Sequence, residues 1–215
     1  MEMKLVFATG NKNKMREIRE IMSGLKLDVL SMKEAGIDID IAEDADSFEG
    51  NALIKARAVF DFIREKKIFG DEQVIVLADD SGLEIDALGG EPGVYSARYM
   101  GEDTPYSVKN AEIIRRLKRK KGAERGARFR CVIAAILPDG NEIIADGAFE
   151  GLIAEEPAGE NGFGYDPILY LPEYGRTAAQ IPPEEKNRIS HRGKALKSMR
   201  EKLSRSSISG TFENP

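Results

Sequence analysis

A chain of 215 residues is long enough to bury one substantial core, as one domain or two closely joined lobes. With 41% hydrophobic and 32% charged residues it has the proportions of an ordinary soluble globular protein. Its 32 Lys and Arg against 37 Asp and Glu leave a net charge of −5. That makes it a poor general binder of nucleic-acid backbones, although positive groups gathered in one cleft would still suit a phosphate compound.

The chain opens on Met1-Glu2-Met3-Lys4 and runs straight into a short apolar segment, without a signal-peptide layout. No apolar stretch reaches the length of a membrane span, so the expected location is the cytoplasm, with no membrane partner. Leu5-Val6-Phe7-Ala8 reads as a strand, ended by the turn signal Thr9-Gly10-Asn11. Met15, Ile18, Ile21 and Met22 then recur at helical spacing, which predicts an amphipathic helix from Lys12 to Met22. Residues 38–47 are acidic and irregular. Ser47 is placed to cap a helix reaching about Lys67, with Ala52, Ala56, Val59, Phe60 and Ile63 on one face.

Val74-Ile75-Val76-Leu77-Ala78 predicts a buried strand that breaks at the acid pair Asp79-Asp80. Gly89-Gly90-Glu91-Pro92-Gly93 is a loop. Thr104-Pro105 opens a helix with apolar positions Val108, Ala111, Ile114 and Leu117, which ends in the basic stretch 118–121. Residues 127–137 and 142–149 flank Pro138-Asp139-Gly140-Asn141, a hairpin signal. Cys131 stands alone in an apolar run and reads as a buried structural thiol. A glycine-rich loop at 159–164 follows, then a short helix after Pro182-Pro183, and a last helix from Ser190-His191-Arg192 to about Leu203. Hairpins mixed with helices imply an α/β fold, a mixed sheet flanked by helices. The expected organisation is one domain over residues 1–204, with a flexible tail over 205–215.

Five segments carry groups suited to chemistry. Thr9-Gly10-Asn11-Lys12-Asn13-Lys14 places a glycine, a helix start and two lysines together, which suits an anion, although it lacks the Walker A pattern. On its own it reads more readily as a plain strand–helix turn with solvated lysines. Asp79-Asp80-Ser81-Gly82 puts two acids after a buried strand, costly unless a positive group sits there. Magnesium, which takes one or two carboxylates and keeps several waters, would satisfy them; so would a capped acidic turn. Adjacent acids on an extended chain point apart, so at most one of the two is the base. Glu43-Asp44-Ala45-Asp46, with Glu49 nearby, could lend a further carboxylate, although by itself it reads more readily as a solvated helix start. Gly162-Phe163-Gly164-Tyr165-Asp166-Pro167 offers ring faces and an acceptor for a base, or aromatics that plug the core. Finally, Lys186 and Ser190-His191-Arg192-Gly193 gather donors, with an arginine able to grip a carbonyl or a phosphate with two N–H groups and His191 the sole histidine, which taken alone reads as structural.

Together and in this order, these blocks resemble the inosine/xanthosine triphosphate pyrophosphatase family, the HAM1-like enzymes of non-canonical purine nucleotides. The resemblance extends from Lys4 to about Leu203. It also rests on Phe48-Glu49-Gly50-Asn51-Ala52 with Lys55-Ala56, and on Pro92-Gly93-Val94-Tyr95-Ser96-Ala97-Arg98-Tyr99. It implies hydrolysis of ITP, dITP and XTP to the monophosphate and pyrophosphate, with Mg2+. Thr9, Gly10, Asn11, Lys12, Asn13 and Lys14 would bind phosphate, and Asp80 would bind metal and accept the proton from water. Glu43 would be the other metal-binding acid. Ser81, Phe163, Gly164, Tyr165, Asp166, Lys186, His191 and Arg192 would hold the nucleotide, with Asp79 and Lys55 in support. The resemblance implies an elongated two-lobed α/β structure with a long mixed sheet and a central substrate cleft, commonly as a homodimer. Ala178-Ala179-Gln180-Ile181 departs from the usual family pattern, which concerns local packing or dimer contacts rather than the chemistry. The competing readings are a Maf-like pyrophosphatase of modified pyrimidine nucleotides and a non-catalytic nucleotide sensor.

Overall fold

The computed structural model describes residues 3–22 and 29–206. Its elements in chain order are β1 (Met3–Phe7), α1 (Lys12–Met22), β2 (Val29–Ser31), α2 (Phe48–Lys66), β3 (Gln73–Ile85), α3 (Tyr106–Arg116), β4 (Gly126–Ile136), β5 (Glu142–Ile153), β6 (Leu169–Leu171), β7 (Arg176–Thr177), α4 (Pro183–Ile189) and α5 (His191–Ser204). Among the described residues the strands form one sheet in the order β2-β1-β3-β4-β5-β6-β7. β1 pairs parallel to both β2 and β3, whereas β6 pairs antiparallel to β5 and β7. This is the mixed sheet flanked by helices expected of the α/β class. Of the tail expected at 205–215, residues 207–215 lie outside the described residues.

By internal contacts the chain divides into two compact units. One comprises residues 1–80, 131–147 and 194–215, the other 81–130 and 148–193. The boundary falls between Asp80 and Ser81, inside β3.

In the first unit, period-two alternation sorts the strands onto two cores. Leu5, Phe7, Ile75, Leu77, Cys131, Ile133 and Ala135 join Met15 and Ile18 of α1 and Leu196 and Met199 of α5. Val6, Ala8, Val74, Val76, Ala78, Ala134 and Ile136 join Ala52, Ala56, Val59, Phe60 and Ile63 of α2. Cys131 is buried, as its apolar setting implied. The second unit has its own core of Leu83, Ile85, Ile113, Leu117, Phe129, Phe149, Tyr165, Ile168 and Leu169.

Two sequence expectations need correction. The strand does not break at the acid pair: β3 continues through Asp79-Asp80 to Ile85. Both acids are therefore interior strand residues, tolerated because each finds a cation. The inward face of α3 also keeps only the Ile114 and Leu117 half of the expected apolar stripe. Val108 is exposed and Ala111 faces water, whereas Lys109, Asn110 and Ile113 are buried. Hydrogen bonds from Lys109 Nζ to the Ala97 carbonyl (2.6 Å) and from Asn110 Nδ2 to the Gly164 carbonyl (3.2 Å) offset the burial of those polar groups.

Candidate functional site

In the first unit the alternation of β3 assigns the acids their partners. Asp79 shares the parity of Ile75 and Leu77, the α1 side, and Lys14 of α1 reaches it at 3.0 Å. Asp80 shares the parity of Val76 and Ala78, the α2 side, where Asn51 and Lys55 stand one turn apart on the buried stripe of α2. Asn51 Nδ2 donates to Asp80 Oδ2 at 3.1 Å, and Lys55 Nζ lies 3.8 Å from Asp80 Oδ1. The same ammonium is 2.8 Å from Glu43 Oε2. Glu43 and Asp80, expected to share a metal, are thus both drawn to one cation.

Burial pushes the Asp80 carboxyl above its ordinary value, with Lys55, Lys14 and the Asn51 hydrogen bond pulling the other way. A raised carboxyl is better matched to accepting a proton near neutrality. For Lys55, burial favours loss of its proton, yet Asp79, Asp80 and Glu43 outweigh it and raise the ammonium.

Among the described residues no group of three or more His, Cys, Asp or Glu side chains gathers as a metal cage. Two carboxylates converging on a single positive charge nevertheless fit magnesium, which binds through one or two protein carboxylates with waters and substrate phosphates completing its shell.

The phosphate segment is organised by its own side chains. The Asn11 amide bonds to Thr9 Oγ1 at 3.2 Å, and Asn11 Oδ1 accepts the amides of Asn13 (2.9 Å) and Lys14 (3.2 Å). Asn11 is thereby the cap of α1. Three of the amides expected to meet phosphate are engaged within the turn, which fixes its shape. Gly10 and Lys12 are exposed, and no acid occupies the first turn of α1 to compete with an anion.

In the second unit, Ser190 caps α5, accepting the Gly193 amide at 3.1 Å. A Cβ at Gly193 would overlap the Asn187 carbonyl, so only glycine lets α4 and α5 meet this closely. That junction carries His191 and Arg192. Arg192 Nη2 donates to Ser81 Oγ at 3.1 Å, and its guanidinium lies over the Phe163 ring at 5.9 Å. The His191 ring stacks on Phe129 with centroids 4.9 Å apart. Lys186 Nζ pairs with Asp166 Oδ2 at 2.7 Å, and the Phe163 amide donates to the same oxygen at 2.7 Å. Both members of this ion pair are buried. Gly162 has φ +76° and makes room for it: a Cβ there would overlap Asp166 Oδ2 and meet Lys186 Nζ.

Of the two readings of this loop's aromatics, Tyr165 follows that of a core plug. It is buried in the core, its hydroxyl donates to the Ser96 carbonyl at 2.7 Å, and its ring meets Tyr106 edge-on. Burial pushes its phenol well up. The ring left half-buried beside the cations is that of Phe163.

The structure therefore gathers Lys14, Glu43, Lys55, Asp79 and Asp80 in one unit, and Ser81, Phe163, Asp166, Lys186, His191 and Arg192 in the other. Sequence reasoning gives no site role to Asn51 or Ser96. Asn51 carries a signal, a polar residue one turn before Lys55 on a helical stripe that is elsewhere apolar. Ser96 carries none: its hydroxyl accepts the Leu83 amide at 2.9 Å and donates to the Gly93 carbonyl at 2.6 Å, which only the folded loop reveals.

The chain is similar to known proteins over nearly its whole length. The model of the Ham1 family matches residues 5–202. A dITP/XTP pyrophosphatase of Clostridium perfringens is 46% identical over 200 residues, 93% of this chain and 97% of that protein. One from Thermus thermophilus is also 46% identical, over 93% of this chain and 91% of its own. Among solved structures, a HAM1 protein from Coxiella burnetii superimposes with a TM-score of 0.80 at 39% identity, covering 96% of this chain and 100% of that one. The Staphylococcus aureus Ham1 protein gives 0.80 at 36% identity, with 94% and 98% covered.

Proposed function

Because the chain belongs to the Ham1 family, we propose that it hydrolyses the non-canonical purine nucleoside triphosphates ITP, dITP and XTP to the monophosphate and pyrophosphate. The observation that carries this reading is Asp80: a buried carboxylate, hydrogen-bonded by Asn51 and facing the Lys55–Glu43 pair, one residue from an Asp79–Lys14 pair.

Asp80 takes the proton of the attacking water as the water oxygen bonds to the α-phosphorus. The bond from that phosphorus to the bridging oxygen breaks, and pyrophosphate leaves. Lys14 and the exposed start of α1 meet its charge. Magnesium held by Glu43 and Asp80 would supply further positive charge to the triphosphate. Lys55, held between the same two carboxylates, keeps them from repelling each other.

The base would meet the groups around Arg192. His191 and Arg192 offer donors suited to a 6-oxo group, and Phe163 offers a ring. A 6-amino purine would leave buried donors unpaired, which is the basis for preferring hypoxanthine and xanthine over adenine. The protein acts as a homodimer in the cytoplasm on this reading.

Pyrophosphate release from ITP, XTP, GTP and ATP, with and without magnesium, tests it. The expected result is magnesium-dependent release, fastest with ITP and XTP. Equal rates on ATP and ITP would remove the base assignment. Turnover confined to modified pyrimidine nucleotides would move the chain to the Maf-like chemistry, and binding without turnover would make it a sensor.

A further inference from the structure

Asp80 has two oxygens on a carboxylate whose final torsion is intrinsically broad. Its orientation is therefore set by its partners. Oδ1 faces Lys55 at 3.8 Å, too long for a hydrogen bond, whereas Asn51 Nδ2 makes a directional contact with Oδ2 at 3.1 Å. Asn51 is itself held at its other end, where its Oδ1 accepts the Ala45 amide at 3.0 Å. One end faces an N–H and the other a carboxylate, so only one orientation of the amide satisfies both. The side chain is 1% exposed, and it sits in the first turns of α2, whose cap at Ser47 fixes the backbone beneath it. Ala45 follows Glu43 by two residues. A Cβ at Gly50 would come within 2.6 Å of the Ala45 Cβ, so the neighbouring glycine is what lets the acidic segment lie this close to the helix.

We propose that Asn51 is a positioning residue that clips the acidic segment bearing Glu43 to the carboxylate of Asp80, orienting the proton acceptor and setting its spacing from the second acid. Neither contact involves substrate; Asn51 acts through Asp80. The inference rests on the pyrophosphatase reading for its kinetic consequence, but the clip itself is a property of the free protein.

Two variants separate its ends. Asn51→Asp retains an acceptor for the Ala45 amide but replaces the donor to Asp80 with a second carboxylate. Asn51→Ala loses both contacts. At saturating magnesium, Asn51→Asp should turn over ITP about 10²-fold more slowly, the scale of a misplaced general base, while KM and the ITP-to-ATP ratio stay within roughly threefold. A merely structural role would instead lower the melting temperature and spare kcat. Hydrogen exchange at the Ala45 amide, followed by NMR on the protein without nucleotide, should accelerate about tenfold or more in Asn51→Ala and stay slow in Asn51→Asp. A kcat for Asn51→Asp within about twofold of wild type, or unchanged Ala45 exchange in Asn51→Ala, overturns the proposal. Should Asn51→Ala fail to fold, the turnover of Asn51→Asp decides. Should the wild type not hydrolyse ITP, the functional reading fails and the exchange contrast still decides whether the clip exists.

Discussion

At the scale of single residues, chemistry and folding place opposite demands on the same positions. Asp80 is buried in a strand, where an apolar residue would be the more stable choice. Asp80→Asn keeps its shape and removes the charge. It should lower ITP turnover by about 10²–10⁴-fold with the melting temperature kept or raised, and near-normal turnover would take Asp80 out of the role of base. Gly10 poses the reverse case. A Cβ there would meet open space, and its φ is not positive, so the fold gives no reason for a glycine. Close approach of a ligand does. Gly10→Ala should leave the thermal melt unchanged and raise KM for ITP; an unchanged KM would remove the turn from phosphate binding. At Gly162 the fold and the site coincide. Gly162→Ala should split the buried Lys186–Asp166 pair, costing about 3–5 kcal/mol, visible as a lowered melting temperature together with a raised KM.

At the scale of elements, legibility follows periodicity. The Lys12–Met22 helix and the capped start of α2 are readable because apolar residues at helical spacing report a face that packs against a sheet. The acid pair is visible but resembles the end of its strand, since composition gives no hint that cations from two helices wait on opposite faces of β3. α3 misleads for a related reason. Its buried Lys109 and Asn110 bond to main-chain carbonyls of loops 12 and 54 residues away, a partnership no local pattern encodes. Arg125 is the extreme instance. Buried, it donates to the carbonyls of Leu117 (2.9 Å), Ile153 (2.5 Å) and Ala154 (2.7 Å), tying the end of α3 to β5. Arg125→Ala strands those acceptors and should destabilise the protein by about 2–5 kcal/mol. Chemical denaturation reads it; a change below about 1 kcal/mol would mean the carbonyls find water instead.

At the scale of the whole molecule, the remaining question is what lies against the outside. The described large apolar side chains left most exposed are Tyr95, Met100, Tyr106 and Val108, at 55%, 49%, 38% and 47%. All four lie between residues 95 and 108 of the second unit, on the segment that also supplies Ser96 beneath Tyr165. Fully burying a side chain of this kind yields about 1.5–3 kcal/mol, so this stretch of chain is where the proposed homodimer would gain most from contact. Tyr106 packs on Tyr165 and belongs to the loop architecture, whereas Met100 and Val108 have no such duty, which makes them the positions to change. The double variant Met100→Glu with Val108→Glu should shift the species seen by light scattering from twice the chain mass to once. Its ITP turnover per chain should follow the wild type if each protomer is complete, and fall with dissociation if the partner steadies the loop that carries Ser96. A wild type already at single-chain mass at micromolar concentration would remove the homodimer and leave these four side chains to another partner.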